Sequence, residues 1–242
     1  MTPYFEREGI AIFNDDCRNV LPTLEQVDLV LTDPPYGIRL QNHGRRDGRR
    51  RDVDWTIPGD DDAAVGQGVV DYCRARWPIA AFASPRHPWA GEWRSYLVWH
   101  KPGVGVGGDP ELCWIADWEL IQIANNRTLV GPKESSVLRW PWTSADFADH
   151  PCAKPVGLCM KLIQKLSGET ILDPFMGSGT TLVAAYRLGR KAIGIEVEER
   201  WCEVAAKRLE AQTPPLFVVP AEEPEQSRMF TGLPLRLSNV QP

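Results

Sequence analysis

Four consecutive residues, Asp33-Pro34-Pro35-Tyr36, concentrate rigid hydrogen-bond acceptors in one short segment. The two prolines stiffen the backbone and remove donors, which fixes the direction of the Asp33 carboxylate and the Pro34 carbonyl. Both groups accept hydrogen bonds, and together they match the two hydrogens of an exocyclic amino group. Accepting those bonds would turn the nitrogen lone pair toward an electrophile. Tyr36 adds an aromatic face on which a planar base could stack. A rigid turn holding a buried tyrosine is the plainer reading of the tetrapeptide by itself.

A second constellation lies far down the chain, in Asp173-Pro174-Phe175-Met176-Gly177-Ser178-Gly179-Thr180-Thr181. A Gly-x-Gly turn between a strand and a helix lets the backbone approach a ligand, and an acid after the next strand accepts from ribose hydroxyls. That acid is Glu196, seventeen positions beyond Gly179. No lysine precedes Thr180, as a P-loop requires, and Leu182 stands where a dinucleotide turn has its third glycine. A carboxylate at Asp173 repels pyrophosphate and suits an ammonium group. S-adenosylmethionine offers an ammonium, ribose hydroxyls and no phosphate, so these charges select it over NAD or ATP.

The elements that must hold these residues follow from hydrophobic periodicity. Ile10 to Phe13 reads as a short strand and Val20 to Leu24 as a short helix limited by Pro22. Val27 to Thr32 is a strand rich in aliphatic residues that stops at Asp33-Pro34-Pro35. Residues 39–62 read as a long polar loop, a length that usually has a functional reason. A helix is expected over Val65 to Trp77, with strands at Ile79 to Ala83 and Tyr96 to Trp99. Four glycines at 103, 105, 107 and 108 break periodicity, Leu112 to Ile123 fits no clear period, and 124–149 reads as irregular. Apolar residues at 158, 159, 162, 163 and 166 make Val156 to Leu166 one helical face. Then come a strand at Thr170 to Leu172 and a helix to about Leu188, with Gly189 as its C-cap. A strand at Lys191 to Ile195 and a helix at Glu198 to Leu209 complete the pattern. Such alternation indicates an α/β fold with a mainly parallel sheet.

At 242 residues, with 43% hydrophobic and 24% charged residues, the chain fits a globular protein with one substantial core. No apolar run reaches the roughly 20 residues that span a bilayer, and no signal peptide is evident, so a cytoplasmic location is expected. Six cysteines form no CxxC pair and the histidines are scattered, which points to buried thiols and no metal site. The formal net charge of -5 argues mildly against nucleic-acid binding, but binding needs a local positive face rather than a positive total. Arg39, Arg45, Arg46, Arg49, Arg50 and Arg51 could supply one.

With both motifs in place, the sequence resembles the amino-methylating DNA methyltransferases, in the β arrangement where the catalytic motif precedes the cofactor motif. The likeness covers roughly residues 10–211. It implies an S-adenosylmethionine-dependent methyltransferase fold, Rossmann-like, with helices on both faces of the sheet and a circularly permuted motif order. Asp33, Pro34, Pro35 and Tyr36 match the family's catalytic motif. Asp173, Phe175, Gly177, Ser178, Gly179 and Thr180 match its cofactor loop. The resemblance further implies that Glu196 holds the ribose and that Asp15 or Asp16 lies near the cofactor's adenine. His150, Lys154 and Pro155 would border its methionine end. Trp99-His100-Lys101-Pro102 resembles the strand beside the target base. The expected organisation is a catalytic half at 1–102, a small target-recognition region at 103–149, a cofactor half at 150–211 and a tail at 212–242. Two departures from the family are the short target-recognition region and the acidic net charge.

The expected reaction is direct methyl transfer to N6 of an adenine extruded from double-stranded DNA. N4-cytosine methylation needs the same acceptors, but an aspartate rather than a serine at the head of the motif favours adenine. The basic residues from Arg39 to Arg51 would then clamp phosphates around the extruded base, and a homodimer would widen the positive face. Competing readings are C5-cytosine methylation through Cys152, methylation of RNA or a protein amide, and a non-catalytic DNA-binding protein of the same fold. Cys152 would need an activating base, and none is identifiable beside it.

Overall fold

The computed structural model describes residues 2–37, 63–102, 117–125, 130–141, 153–166 and 168–213. Among these residues, nine strands form one sheet: β1 (Phe5–Arg7), β2 (Ile10–Asn14), β3 (Leu29–Thr32), β4 (Ile79–Ala83), β5 (Ser95–His100), β6 (Trp118–Ala124), β7 (Val137–Arg139), β8 (Thr170–Asp173) and β9 (Lys191–Glu196). Their order is β1-β2-β9-β8-β3-β4-β6-β5-β7. The central run from β2 to β4 is parallel throughout. The antiparallel pairs lie toward the edges, at β1–β2, β4–β6 and β5–β6.

Two half-sheets diverge from the β8–β3 pair. From β3 the chain passes through α2 (Ala63–Arg74) to β4 on one side, and from β8 it passes through α4 (Thr180–Arg187) to β9 on the other. The direction of winding reverses between β8 and β3, and open α/β sheets place ligands outside the strand ends at such a reversal.

Helices cover both faces, and the period-two alternation of the strands shows which residues meet which layer. Leu29, Leu31, Ala80, Phe82 and Ile171 join the core beneath α3 (Val156–Leu166), α4 and α5 (Glu199–Glu210). Val30, Ile79, Ala81, Ala83 and Leu172 join the opposite core, with α2 and the short helix α1 (Cys17–Val20). Because both faces are covered, β3 and β4 are buried at every position, as unbroken aliphatic runs require. In α3 the buried residues are Leu158, Cys159, Leu162, Ile163 and Leu166, the face expected from the sequence. Gly189 has φ +67° and its amide bonds the Tyr186 carbonyl at 2.9 Å, so it does close α4.

The structure differs from the sequence reading in four places. Strand β1 is an addition: Glu8 and Gly9 both have positive φ, which makes the tight turn that folds β1 back on β2. Helix α1 begins at Cys17, ahead of the expected start, because the Asp16 side chain accepts the Arg18 amide and caps it. Strand β6 occupies the end of the segment that fitted no period, and β7 lies inside the stretch read as irregular. Both belong to the main sheet, so residues 117–125 and 130–141 of the proposed target-recognition region serve the core architecture as well.

Helix α2 bears directly on the segment after β3. A Cβ on Gly66 would lie 2.5 Å from the Pro35 carbonyl oxygen and 2.9 Å from the Trp89 ring, whereas one on Gly68 would meet nothing within 4 Å. Gly66→Ala is therefore expected to destabilise the fold by about 1–3 kcal/mol through overpacking. Gly68→Ala should stabilise it by about 0.5–1 kcal/mol, since glycine in a helix interior costs that much relative to alanine. Urea unfolding of the two variants checks the pair; equal effects would show that α2 does not press on the loop.

Candidate active site

Strands β3 and β8 pair in parallel, with Leu29 opposite Ile171 and Val30 opposite Leu172. Continuing that register puts Leu31 level with Asp173 and Asp33 two residues further out. Both motif aspartates thus stand at the same end of the sheet, on neighbouring strands, at the winding reversal. Charging Asp173 is costly: its pKa is held up to about 6, first by burial, with the Asp33 charge adding to it. The Thr181 and Thr32 hydroxyls and the Phe175 amide, 3.2 Å away, pull in the opposite direction.

Asp33 is surrounded by donors. The Tyr36 hydroxyl bonds its Oδ1, and the Lys154 ammonium forms an ion pair with its Oδ2. Burial and the nearby Glu119 charge push the Asp33 carboxyl up; Lys154 and Tyr36 act against them. Tyr36 is also fixed by Trp89, with ring centroids 5.8 Å apart and planes tilted at 41°. Trp89 in turn is locked by Gln122 on β6, which accepts its backbone amide at 2.7 Å and donates to its carbonyl at 3.0 Å. The Trp89 indole donates to the Phe82 carbonyl at 2.7 Å. A strand from the region assigned to target recognition therefore braces the Asp33 loop.

Lys154 continues into a chain of charges. Its ammonium lies 3.6 Å from Glu119 Oε2, and Lys101 is 2.9 Å from Glu119 Oε1. Burial alone would raise the Glu119 carboxyl, but the Lys154 and Lys101 ammoniums outweigh it and the net shift is downward. Glu119 escaped the sequence reading because it sits in the segment without clear periodicity, with no motif around it.

On the other half-sheet, Glu196 ends β9. Its Oε2 accepts the Gly177 amide at 3.1 Å and its Oε1 the Glu198 amide at 2.9 Å. Asn14, at the end of β2, is level with Glu196, and the Asp15 amide donates to the Glu196 carbonyl at 3.2 Å. Asp15 and Asp16 thus adjoin Glu196. Their carboxylates are engaged locally: Asp15 accepts from Asn19 at 2.9 Å, and Asp16 caps α1 and pairs with Arg18.

The glycine loop is built against α5. Gly179 has φ +78°, and a Cβ there would come within 2.7 Å of the Ala205 side chain. Its glycine is explained by that close helix approach and by left-handed backbone, rather than by room for a ligand. Arg208 donates to the Ser178 carbonyl at 2.6 Å, to its hydroxyl at 2.8 Å and to the Thr180 hydroxyl at 3.3 Å. These side chains therefore shape the loop from behind, and Arg208 is a positioning residue that no motif flagged. Lacking phosphate-binding lysines, the loop presents the Asp173 and Glu196 carboxylates, acceptors that fit a cationic nucleoside.

His150, Cys113, Cys152 and Arg39, Arg45, Arg46, Arg49, Arg50 and Arg51 lie outside the described residues. Cys17, Cys73, Cys159 and Cys202 are buried free thiols, their pKa values pushed up to about 12 mainly by burial. Among the described residues no helix is long and apolar enough to cross a membrane.

Comparison with known proteins agrees with this geometry. The family model for N6 and N4 DNA methylases matches residues 98–207. YubD, a candidate methylase of Escherichia coli (strain K12), is 30% identical over 218 residues, covering 81% of this chain and 88% of YubD. Two solved structures share the fold. M1.HpyAVI in complex with S-adenosylmethionine has a TM-score of 0.57 at 21% identity, over 83% of this chain and 99% of that one. The cytosine-N4-specific PvuII DNA methyltransferase has a TM-score of 0.57 at 15% identity, over 87% and 89%. The chain belongs to the DNA methylases that modify exocyclic amino nitrogens, the N6-adenine and N4-cytosine family.

Proposed function

We propose that this DNA methyltransferase modifies N6 of adenine in double-stranded DNA, with Asp33 and Pro34 as the acceptors that orient the amine. The observation that carries the reading is the placement of Asp33 and Asp173 on neighbouring strand ends at the winding reversal. When bound, S-adenosylmethionine supplies an electrophilic methyl group. Asp33 and the Pro34 carbonyl take the two amino hydrogens, and the nitrogen lone pair is thereby aimed at that carbon. As the new N–C bond forms and the S–C bond breaks, Asp33 offsets the positive charge growing on nitrogen. The methylated nitrogen then gives up one proton to solvent water, which restores its neutrality. Tyr36 and Pro35 hold the base plane and the loop. Asp173 takes the cofactor's ammonium and Glu196 its ribose hydroxyls, with Asp15 or Asp16 near its adenine. His150 and Lys154 border the methionine end, as Phe175 and the Gly177-Ser178-Gly179-Thr180 turn enclose it.

The preference for adenine rests on aspartate at the head of the motif; N4-cytosine is the second reading, and the fold likeness to a cytosine-N4-specific enzyme keeps it in view. Digestion of methylated DNA to nucleosides separates the two, with N6-methyladenine expected. Asp33→Asn and Asp33→Ala should each slow single-turnover methylation by about 100- to 1,000-fold, the usual loss when a charge-stabilising group is removed. Wild-type rates in both would remove Asp33 from the chemistry.

Cofactor binding should depend on pH through Asp173. Its carboxyl is charged only above about 6, and an ammonium ligand favours the charged form. Affinity is therefore expected to fall as pH drops through that value, approaching about tenfold per unit. The same raised pKa has the opposite effect on the ligand-free fold. That contribution favours folding below the unfolded carboxyl pKa and is lost as pH rises through about 6. Calorimetric titration across pH 5–8 tests this, and Asp173→Asn should flatten the dependence.

The basic stretch is proposed to grip phosphates. Neutralising Arg45, Arg46 and Arg49–Arg51 should weaken DNA binding regardless of sequence. The logarithmic salt slope should become shallower by about 0.9 for every phosphate that is no longer neutralised. Identical salt slopes for wild type and variant would rule that grip out.

A further inference from the structure

The Asp33 carboxylate that must receive an amine is already engaged on both oxygens, Oδ1 by Tyr36 and Oδ2 by Lys154. Each carboxylate oxygen has two lone pairs, but an ammonium held against Oδ2 draws on the negative charge that an amine turning cationic needs, so Asp33 serves the amine better once Lys154 withdraws. Lys154 has somewhere to go. Glu119 Oε2 stands 3.6 Å from its ammonium, outside hydrogen-bond length, so a shift of under about 1 Å would exchange one carboxylate for the other. Glu119 is anchored for that exchange from its far side by Lys101, at 2.9 Å on Oε1. The ladder Asp33, Lys154, Glu119, Lys101 carries two charges of each sign, so moving the Lys154 proton donor along it leaves the net charge of the buried group unchanged. Lys154 and Lys101 also lie over the Phe82 and Trp99 rings, at 5.2 and 5.4 Å from the centroids, surfaces along which an ammonium can slide while keeping a favourable interaction.

We propose that Lys154 is a counter-ion switch: it caps Asp33 while the target site is empty and moves onto Glu119 when the amine arrives. Glu119 is then a positioning residue, acting on the amine only through Lys154. This inference rests on Asp33 being the amine acceptor.

The test measures single-turnover transfer of labelled methyl from saturating S-adenosylmethionine into unmethylated genomic DNA. The enzymes compared are wild type, Asp33→Asn, Asp33→Ala, Glu119→Gln, Glu119→Asp, Lys154→Gln and the double variant Glu119→Gln/Lys154→Gln. Removing the Glu119 charge leaves Lys154 on Asp33, so Glu119→Gln is expected to be slower by about 100-fold, the scale of a small misplacement at a reacting centre. Its affinity for labelled S-adenosylmethionine should stay within about twofold of wild type, and the acid limb of its pH–rate profile should move down, because Glu119 raises the Asp33 pKa. Glu119→Asp should recover part of the rate. The double variant should be no slower than the slower single variant, since both act on one exchange. A wild-type rate in Glu119→Gln, or full additivity in the double variant, would overturn the switch while an impaired Asp33→Asn left the proposed function standing. Wild-type rates in both Asp33→Asn and Asp33→Ala would overturn the switch and the proposed function together.

Discussion

Everything at this site depends on the parallel pairing of β3 with β8. Two registered residue pairs, Leu29 with Ile171 and Val30 with Leu172, join parts of the chain that are more than a hundred residues apart. That short ladder sets two carboxylates side by side at the end of the sheet. A slip of one residue would turn each side chain to the other face, moving Leu29 and Leu31 out of one core and Val30 out of the other. Burial of both faces therefore enforces the register on which the chemistry depends.

Setting two acids close together in a buried place is unfavourable, and the fold answers each differently. Asp173 has threonine hydroxyls and the Phe175 amide for company but no cation among the described residues, and its pKa stays raised. Asp33 has Lys154, and Lys154 has Glu119 and Lys101 behind it. A buried ion pair gives little net stability, because desolvation consumes most of its Coulombic gain. Its retention beside Asp33 accords with the proposed control over when the Asp33 oxygens are available. Asp173, held by neutral donors, is suited to receive a cation from a ligand.

Both loops are also braced from outside by packed neighbours. The glycine turn is held by Ala205 and Arg208 of α5. The loop after β3 is held by Gly66 of α2 and by Trp89, itself fixed by Gln122 on β6. Precision at a reacting centre usually comes from such supporting neighbours, and here three separate elements provide them.

The sequence alone determined the two motifs, the strands and helices that carry them and the class of fold. Long periodic runs such as Val156–Leu166 and Ile79–Ala83, and short motifs with fixed turn chemistry, are local properties that survive without knowledge of neighbours. Strands β6 and β7 were hidden because their identity comes from pairing with β4 and β5 rather than from any period of their own. Likewise, nothing around Glu119, Arg208 or Gln122 announces a role, since each acts on residues distant in the chain. The reason for glycine at 179 was also tertiary, a close approach by α5. Which groups share a charge, and which carboxylate a lysine rests on, depends on distances across the sheet, and only the folded arrangement sets those.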